Sequence, residues 1–246
     1  MRNLRSRDDL WASSGAAFVV LFVGGLVFAD VVAGRSFPGM DEPLEEITAY
    51  FAANRAEVRL LSLFHSLAAI PLLAFAAYVS GLHPHKDDES RRLSRLAFGG
   101  GIMAAVFLLL SALLFWTLAR PATAGQPALG RALVDLSFLA GGVALLLSLS
   151  AFIGAGALLA SGVLPAWLVR TGVVTAIISL LFAATLAAES GAFGPGGIIA
   201  VAAVPAFLWI FAASVALVRA CRGRLPDAES PPTPEDRVTR AASVRG

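Results

Sequence analysis

Long uncharged apolar blocks alternate along the chain with short polar segments, and six of the blocks are long enough to cross a bilayer. They run Leu10–Ala33, Leu60–Leu82, Leu96–Ala119, Ala132–Ala160, Ala166–Ala188 and Gly196–Val218. A helix rises about 1.5 Å per residue, so about 20 residues span a hydrocarbon core of ~30 Å. The blocks lack the period-2 alternation of a membrane barrel. Hydrocarbon leaves only helices or closed barrels, because backbone groups must be bonded internally. The pattern therefore predicts an all-α fold, a polytopic bundle of six transmembrane helices over residues 1–221. The remainder, 222–246, is rich in Pro, Arg and acids and reads as a disordered tail. Val27-Phe28-Ala29 loosely fits a signal cleavage site, but the first apolar block exceeds the ~7–15 residues of a signal-peptide core. It reads as a retained span.

Composition agrees. Hydrophobic residues make up 57% and charged residues 15%, against about 25% charged in soluble domains, which excludes a water-soluble fold. The basic residues sit at span ends rather than on one face, so nucleic acid is not an expected partner. Their distribution sets an orientation. With the N-terminus inside, Arg2, Arg5, Arg7, Lys86, Arg91, Arg92, Arg95, Arg170 and six arginines from Arg219 onward face the cytoplasm, 14 of the 19 basic residues. Arg35, Arg55, Arg59, Arg120 and Arg131 face out, with the acidic stretch Asp41, Glu42, Glu45 and Glu46. Both termini are therefore expected in the cytoplasm of a multi-pass cell-membrane protein. A reporter active only outside the cytoplasm should be silent when fused after Arg219 and active at Gln126; a strong signal after Arg219 would overturn this topology. The single cysteine, Cys221, excludes an intrachain disulfide and a Cys-rich metal motif. Its place after Arg219 suits either palmitoylation or an ordinary small residue.

The connectors differ in character. In Arg35–Glu57, Asp41-Glu42-Pro43 reads as a helix start with a capping Asp. Leu44, Ile47, Phe51 and Val58 then share one helical face. Residues 41–57 read either as an amphipathic helix on the membrane surface or as an extension of span two. His83–Arg95 is a charged connector, Ser161–Pro165 a tight turn that makes spans four and five a hairpin, and Gly191–Gly197 a Gly/Pro-rich turn.

Three segments are familiar as a set: Tyr50-Phe51-Ala52-Ala53-Asn54-Arg55 before span two, Ser161-Gly162-Val163-Leu164-Pro165-Ala166-Trp167-Leu168 between spans four and five, and Phe193-Gly194-Pro195-Gly196-Gly197 before span six. Over most of Leu10–Arg219 the chain resembles a group of uncharacterised six-span integral membrane proteins of GC-rich bacteria. The resemblance implies the six-helix architecture and no activity. His65 departs from it, standing where such proteins more often have a small or apolar residue.

Ionisable groups inside spans are costly, so each is a candidate. They are Asp30, His65, Asp135, Glu189 and Arg170, flanked by Arg59, Arg120 and Arg131. All but Arg170 fall in the outer third of the membrane, although they come from different spans. Asp30, His65 and Asp135 could line an outward-facing polar cavity for a cation, a proton or a small polar solute. The plainer alternative pairs each carboxylate with a neighbouring arginine or with headgroups. His83 and His85, with Asp87, Asp88 and Glu89, are a weak metal signal, because two histidines two apart lack a helical ligand spacing. No nucleophile elbow, HExxH pair, phosphate loop or dinucleotide fingerprint is present. Small residues at Gly25/Ala29, Ser137/Gly141, Ser150/Gly154 and Gly99-Gly100-Gly101 predict close helix approaches. Pro71 and Pro205 predict kinks in spans two and six. The expected role is a non-enzymatic structural or accessory membrane subunit, without cofactor. Its partners are the lipid bilayer and a membrane protein or a second copy. A small-solute, ion or proton transporter is the runner-up, and a membrane-embedded enzyme third.

Overall fold

The six apolar blocks become six helices long and apolar enough to cross a membrane, so the chain is an all-α membrane protein. The computed structural model describes residues 2–34, 38, 42–82, 87–121, 126–187 and 199–223. Helix α1 spans Arg2–Ala33, α2 Leu44–Ala53, α3 Arg55–Ser80 and α4 Asp88–Leu118. Span four is α5 (Pro127–Phe138), a π-helical turn (Leu139–Ala144) and α6 (Leu145–Leu159). After a 3-10 turn at Ala160–Gly162 come α7 (Ala166–Leu181), a second 3-10 segment (Phe182–Ala187) and α8 (Ile199–Gly223).

Each span packs on the span before and after it, and α8 returns to α1, so the helices close into a ring. Span four is the most enclosed: 72% of its most apolar stretch is buried, against 22% for span one. Its α6 half also touches α3 and α8, which places it at the centre of the bundle. With few polar groups to pair, the bundle uses backbone carbonyls and hydroxyls to fix helix positions. The buried Ser214 hydroxyl donates to the Ala12 carbonyl (2.6 Å) and accepts from the Ala16 N–H (3.0 Å), inserting α8 into the α1 backbone ladder. The Trp209 indole donates to the Leu168 carbonyl at 2.8 Å and clasps α8 to α7. Beyond the main core, Arg222 meets Asp9 at 3.4 Å, tying the last turn of α8 to the start of span one. Cys221 lies half-buried with its Sγ 3.2 Å from the Tyr78 hydroxyl.

Several elements differ from the sequence expectation. The charged connector after span two is shorter than His83–Arg95. Asp87 caps α4 by accepting from the Ser90 N–H at 2.7 Å, so Asp88–Arg95 is already helix. Between α2 and α3 the chain breaks at Asn54, whose backbone leaves the helical region (φ −111°, ψ 41°). The Asn54 N–H and side-chain amide both donate to the Tyr50 carbonyl. Residues 44–53 are therefore a separate helix and not a continuation of span two. Helix α2 docks on the bundle: Ile47, Tyr50 and Phe51 form a second, smaller core with Val58, Phe115, Leu118 and Val134. Its N-cap residue is Pro43, without a side-chain cap, because the helix starts one residue beyond the expected Asp-Glu-Pro signal. Asp41 itself lies outside the described residues, as do the Gly/Pro turn at 191–197 and the tail from 224. Pro71 and Pro205 sit within α3 and α8, which continue through them.

Candidate functional site

The break in helical regularity that matters most is the π turn of span four. A π turn admits one extra residue, widens the helix and displaces its carbonyls, and it recurs at functional sites. Here it carries Leu139-Ala140-Gly141-Gly142-Val143-Ala144. Small residues allow the neighbouring helix to come close: a Cβ on Gly141 would collide with the Ser111 side chain. The Ser111 hydroxyl donates to the Ser137 carbonyl, just before the turn, at 2.9 Å. The Ser137 hydroxyl in turn donates to the Val134 carbonyl at 2.7 Å.

Beside this turn lies a cavity of about 450 Å³, well inside the ~300–1,000 Å³ range of small-molecule sites. Five spans line it: Phe22 and Leu26 of α1, Leu61 and His65 of α3, Leu108 and Ser111 of α4, Gly141 and Gly142 of the π turn, and Ala203 and Phe207 of α8. The walls are almost wholly apolar. The cavity sits toward the end of the bundle away from the Arg222–Asp9 pair.

His65 is the titratable side chain among the lining residues. It is 4% exposed. Its ring stacks face to face on Phe22, with centroids 4.3 Å apart and planes 2° from parallel. Phe22 in turn meets Phe207 at 4.6 Å, so α1, α3 and α8 share an aromatic cluster. The imidazole Nε2 is buried without a hydrogen-bond partner among the described residues. An unmet buried polar atom costs about 1–3 kcal/mol, and hydrocarbon offers no water to relieve it.

The other sequence candidates lie elsewhere. Arg131 and Asp135 are brought together one turn apart on α5, with Nε–Oδ1 2.9 Å and both side chains about one-third exposed. Arg131 also donates to the Glu42 carbonyl (3.4 Å), and Arg59 to the Ala119 carbonyl (3.4 Å). Arg120 lies over the Trp116 ring, 5.2 Å from its centroid. These contacts tie α3 to the end of α4 and α5 to the segment before α2, and none of the four residues lines the large cavity. Asp30 is exposed on α1, and Arg170 is exposed near the start of α7. Glu189, His83 and His85 lie outside the described residues, among which no group of three His, Cys, Asp or Glu side chains could hold a metal ion. His65 lines the cavity within an aromatic cluster, and Asp135 is not among the lining residues. Phe22, Phe207, Ser111 and the π turn carried no sequence signal of function, although Ser137/Gly141 did mark the close approach. Comparison with protein-family models, curated proteins and solved structures finds no match.

Proposed function

We propose that this chain is a non-enzymatic integral membrane protein that holds one hydrophobic small molecule between its spans, as an accessory protein of the membrane in which it sits. One observation carries this reading: a cavity of about 450 Å³, walled by apolar side chains from five spans. Ser111 and Ser137 have already donated their hydroxyl protons to backbone carbonyls, which supports binding over nucleophilic chemistry. The runner-up, transport of an ion or small polar solute through the outer charged groups, has less support. Arg59, Arg120, Arg131 and Asp135 are engaged with backbone, ring or one another at helix ends. The arginine distribution supports an orientation with both termini in the cytoplasm, which would place the cavity in the outer half of the bilayer.

Protein withdrawn from its native membrane in polymer-bounded lipid discs should carry a single hydrophobic species at close to one per chain. Solvent extraction and mass spectrometry, set against the extract of the bulk membrane, measures this. An extract with only the bulk composition contradicts the proposal.

A further inference from the structure

Arg170 stands on α7 without a counter-charge. Neither α7 nor α8 contains an acidic residue, and neither does α6, which packs on both. Among the described residues the Arg170 guanidinium meets no acceptor. It lies one turn into a span, about 6 Å from the helix start, where a long side chain extends toward the membrane interface. A cation at that depth is costly unless something outside these helices neutralises it.

The same residue heads a lateral groove of about 490 Å³ between α7 and α8, separate from the cavity described above. On α7 the wall runs from Trp167 and Arg170 through Val174 to Ile178, one helical face that continues for about 12 Å beyond the arginine. On α8 the wall is Pro205, Leu208 and Ala212. Val174 is 55% and Leu208 63% exposed, so the groove opens to lipid along its length. Its floor is fixed. The buried Trp209 indole is held by the Leu168 carbonyl and rests on Gly172, where a Cβ would strike the ring. Beyond Arg170 the lining is apolar but for the hydroxyls of Thr171 and Thr175, and Thr171 donates to the Leu168 carbonyl.

We propose that this groove seats one anionic phospholipid, with an acyl chain laid along Val174, Ile178 and Leu208 and the phosphate paired with Arg170. Both parts of the lipid find their complement. The guanidinium presents a planar fork of donors that matches phosphate oxygens. The exposed Trp167, one turn nearer the helix start, marks the level of the headgroups. A zwitterionic lipid would bring its own ammonium to a place where α6, α7 and α8 offer no carboxylate, so a net negative headgroup is favoured.

The test follows tryptophan fluorescence of the full chain in bilayers of phosphatidylglycerol and phosphatidylcholine in equal parts, with the chains of first one lipid and then the other brominated. Trp11 and Trp116 are replaced by phenylalanine in the parent protein, which leaves Trp167 and Trp209 as reporters, both in the groove. Brominated phosphatidylglycerol should quench the parent more strongly, corresponding to about fivefold tighter binding, the size of one cation near an anionic surface. Adding Arg170→Gln should make the two lipids quench equally. Adding Arg222→Gln instead removes a cation that pairs with Asp9 and does not line the groove, and the preference should remain. Equal quenching by the two lipids in the parent, or a loss in Arg222→Gln as large as in Arg170→Gln, would overturn the proposal. Weak quenching by both lipids, the mark of a groove covered by a second copy of the chain, would overturn it as well. Should Arg170→Gln fold poorly, the two-lipid comparison on the parent still decides.

Discussion

Replacing Gly100 by alanine should weaken the bundle by about 1–3 kcal/mol, and replacing it by valine by more. An alanine substituted for glycine inside a helix ordinarily stabilises by roughly 0.5–1 kcal/mol through backbone entropy, so the expected sign is reversed. The reason is what a Cβ would meet. On Gly100 it would lie 2.7 Å from the Phe152 nitrogen and 2.8 Å from the Ser148 carbonyl oxygen. Both are backbone atoms of α6, the central helix, and neither can swing aside as a side-chain end would. Helices α4 and α6 would have to separate by several tenths of an ångström, loosening the core around Phe152 and Leu149, both fully buried. Packing energy falls steeply with such gaps, and in lipid it is a principal force holding helices together. Gly99 supplies an internal control, since a Cβ there meets nothing within 4 Å. Gly99→Ala should be neutral or stabilising. Reversible unfolding in mixed detergent micelles measures all three variants against wild type. Equal behaviour of Gly99→Ala and Gly100→Ala would show that α4 and α6 do not pack as described.

That contrast also shows what a sequence can disclose. Three consecutive glycines announce a close approach, but not which one faces a neighbour. The six spans were legible because hydrocarbon imposes a length and a composition on each, and no tertiary detail overrides that demand. Helix ends were less so. The sequence marks where apolar residues stop, whereas α4 continues as helix back to Asp88 because Asp87 offers it a cap. The π turn left no trace at all, since Leu139–Ala144 is as apolar as a regular span.

The candidate site was legible only in fragments. Desolvation cost drew attention to the ionisable groups within spans, His65 among them. It could not reveal that Phe22, 43 positions away, would stack on the ring. Nor could shared depth decide partnership. Arg131 and Asp135 meet because they lie one helical turn apart, a local relation, whereas the wall of the cavity is assembled from five spans and is almost entirely apolar. An apolar residue facing a cavity and one facing lipid look the same in a sequence.

The second large effect follows from filling that cavity. Ala203 of α8 lines it, and a tryptophan there would put an indole into the cavity volume. Ala203→Trp should fold as stably as wild type and lose hydrophobic small-molecule binding almost completely. The loss follows because the molecule and the indole compete for the same volume. The most direct measurement is equilibrium binding of tritiated dodecan-1-ol to the two proteins in phosphatidylcholine nanodiscs, with empty discs subtracted. The account predicts one saturable site per wild-type chain and none in Ala203→Trp. Saturable binding to both proteins with the same stoichiometry and affinity, or to neither, would contradict it.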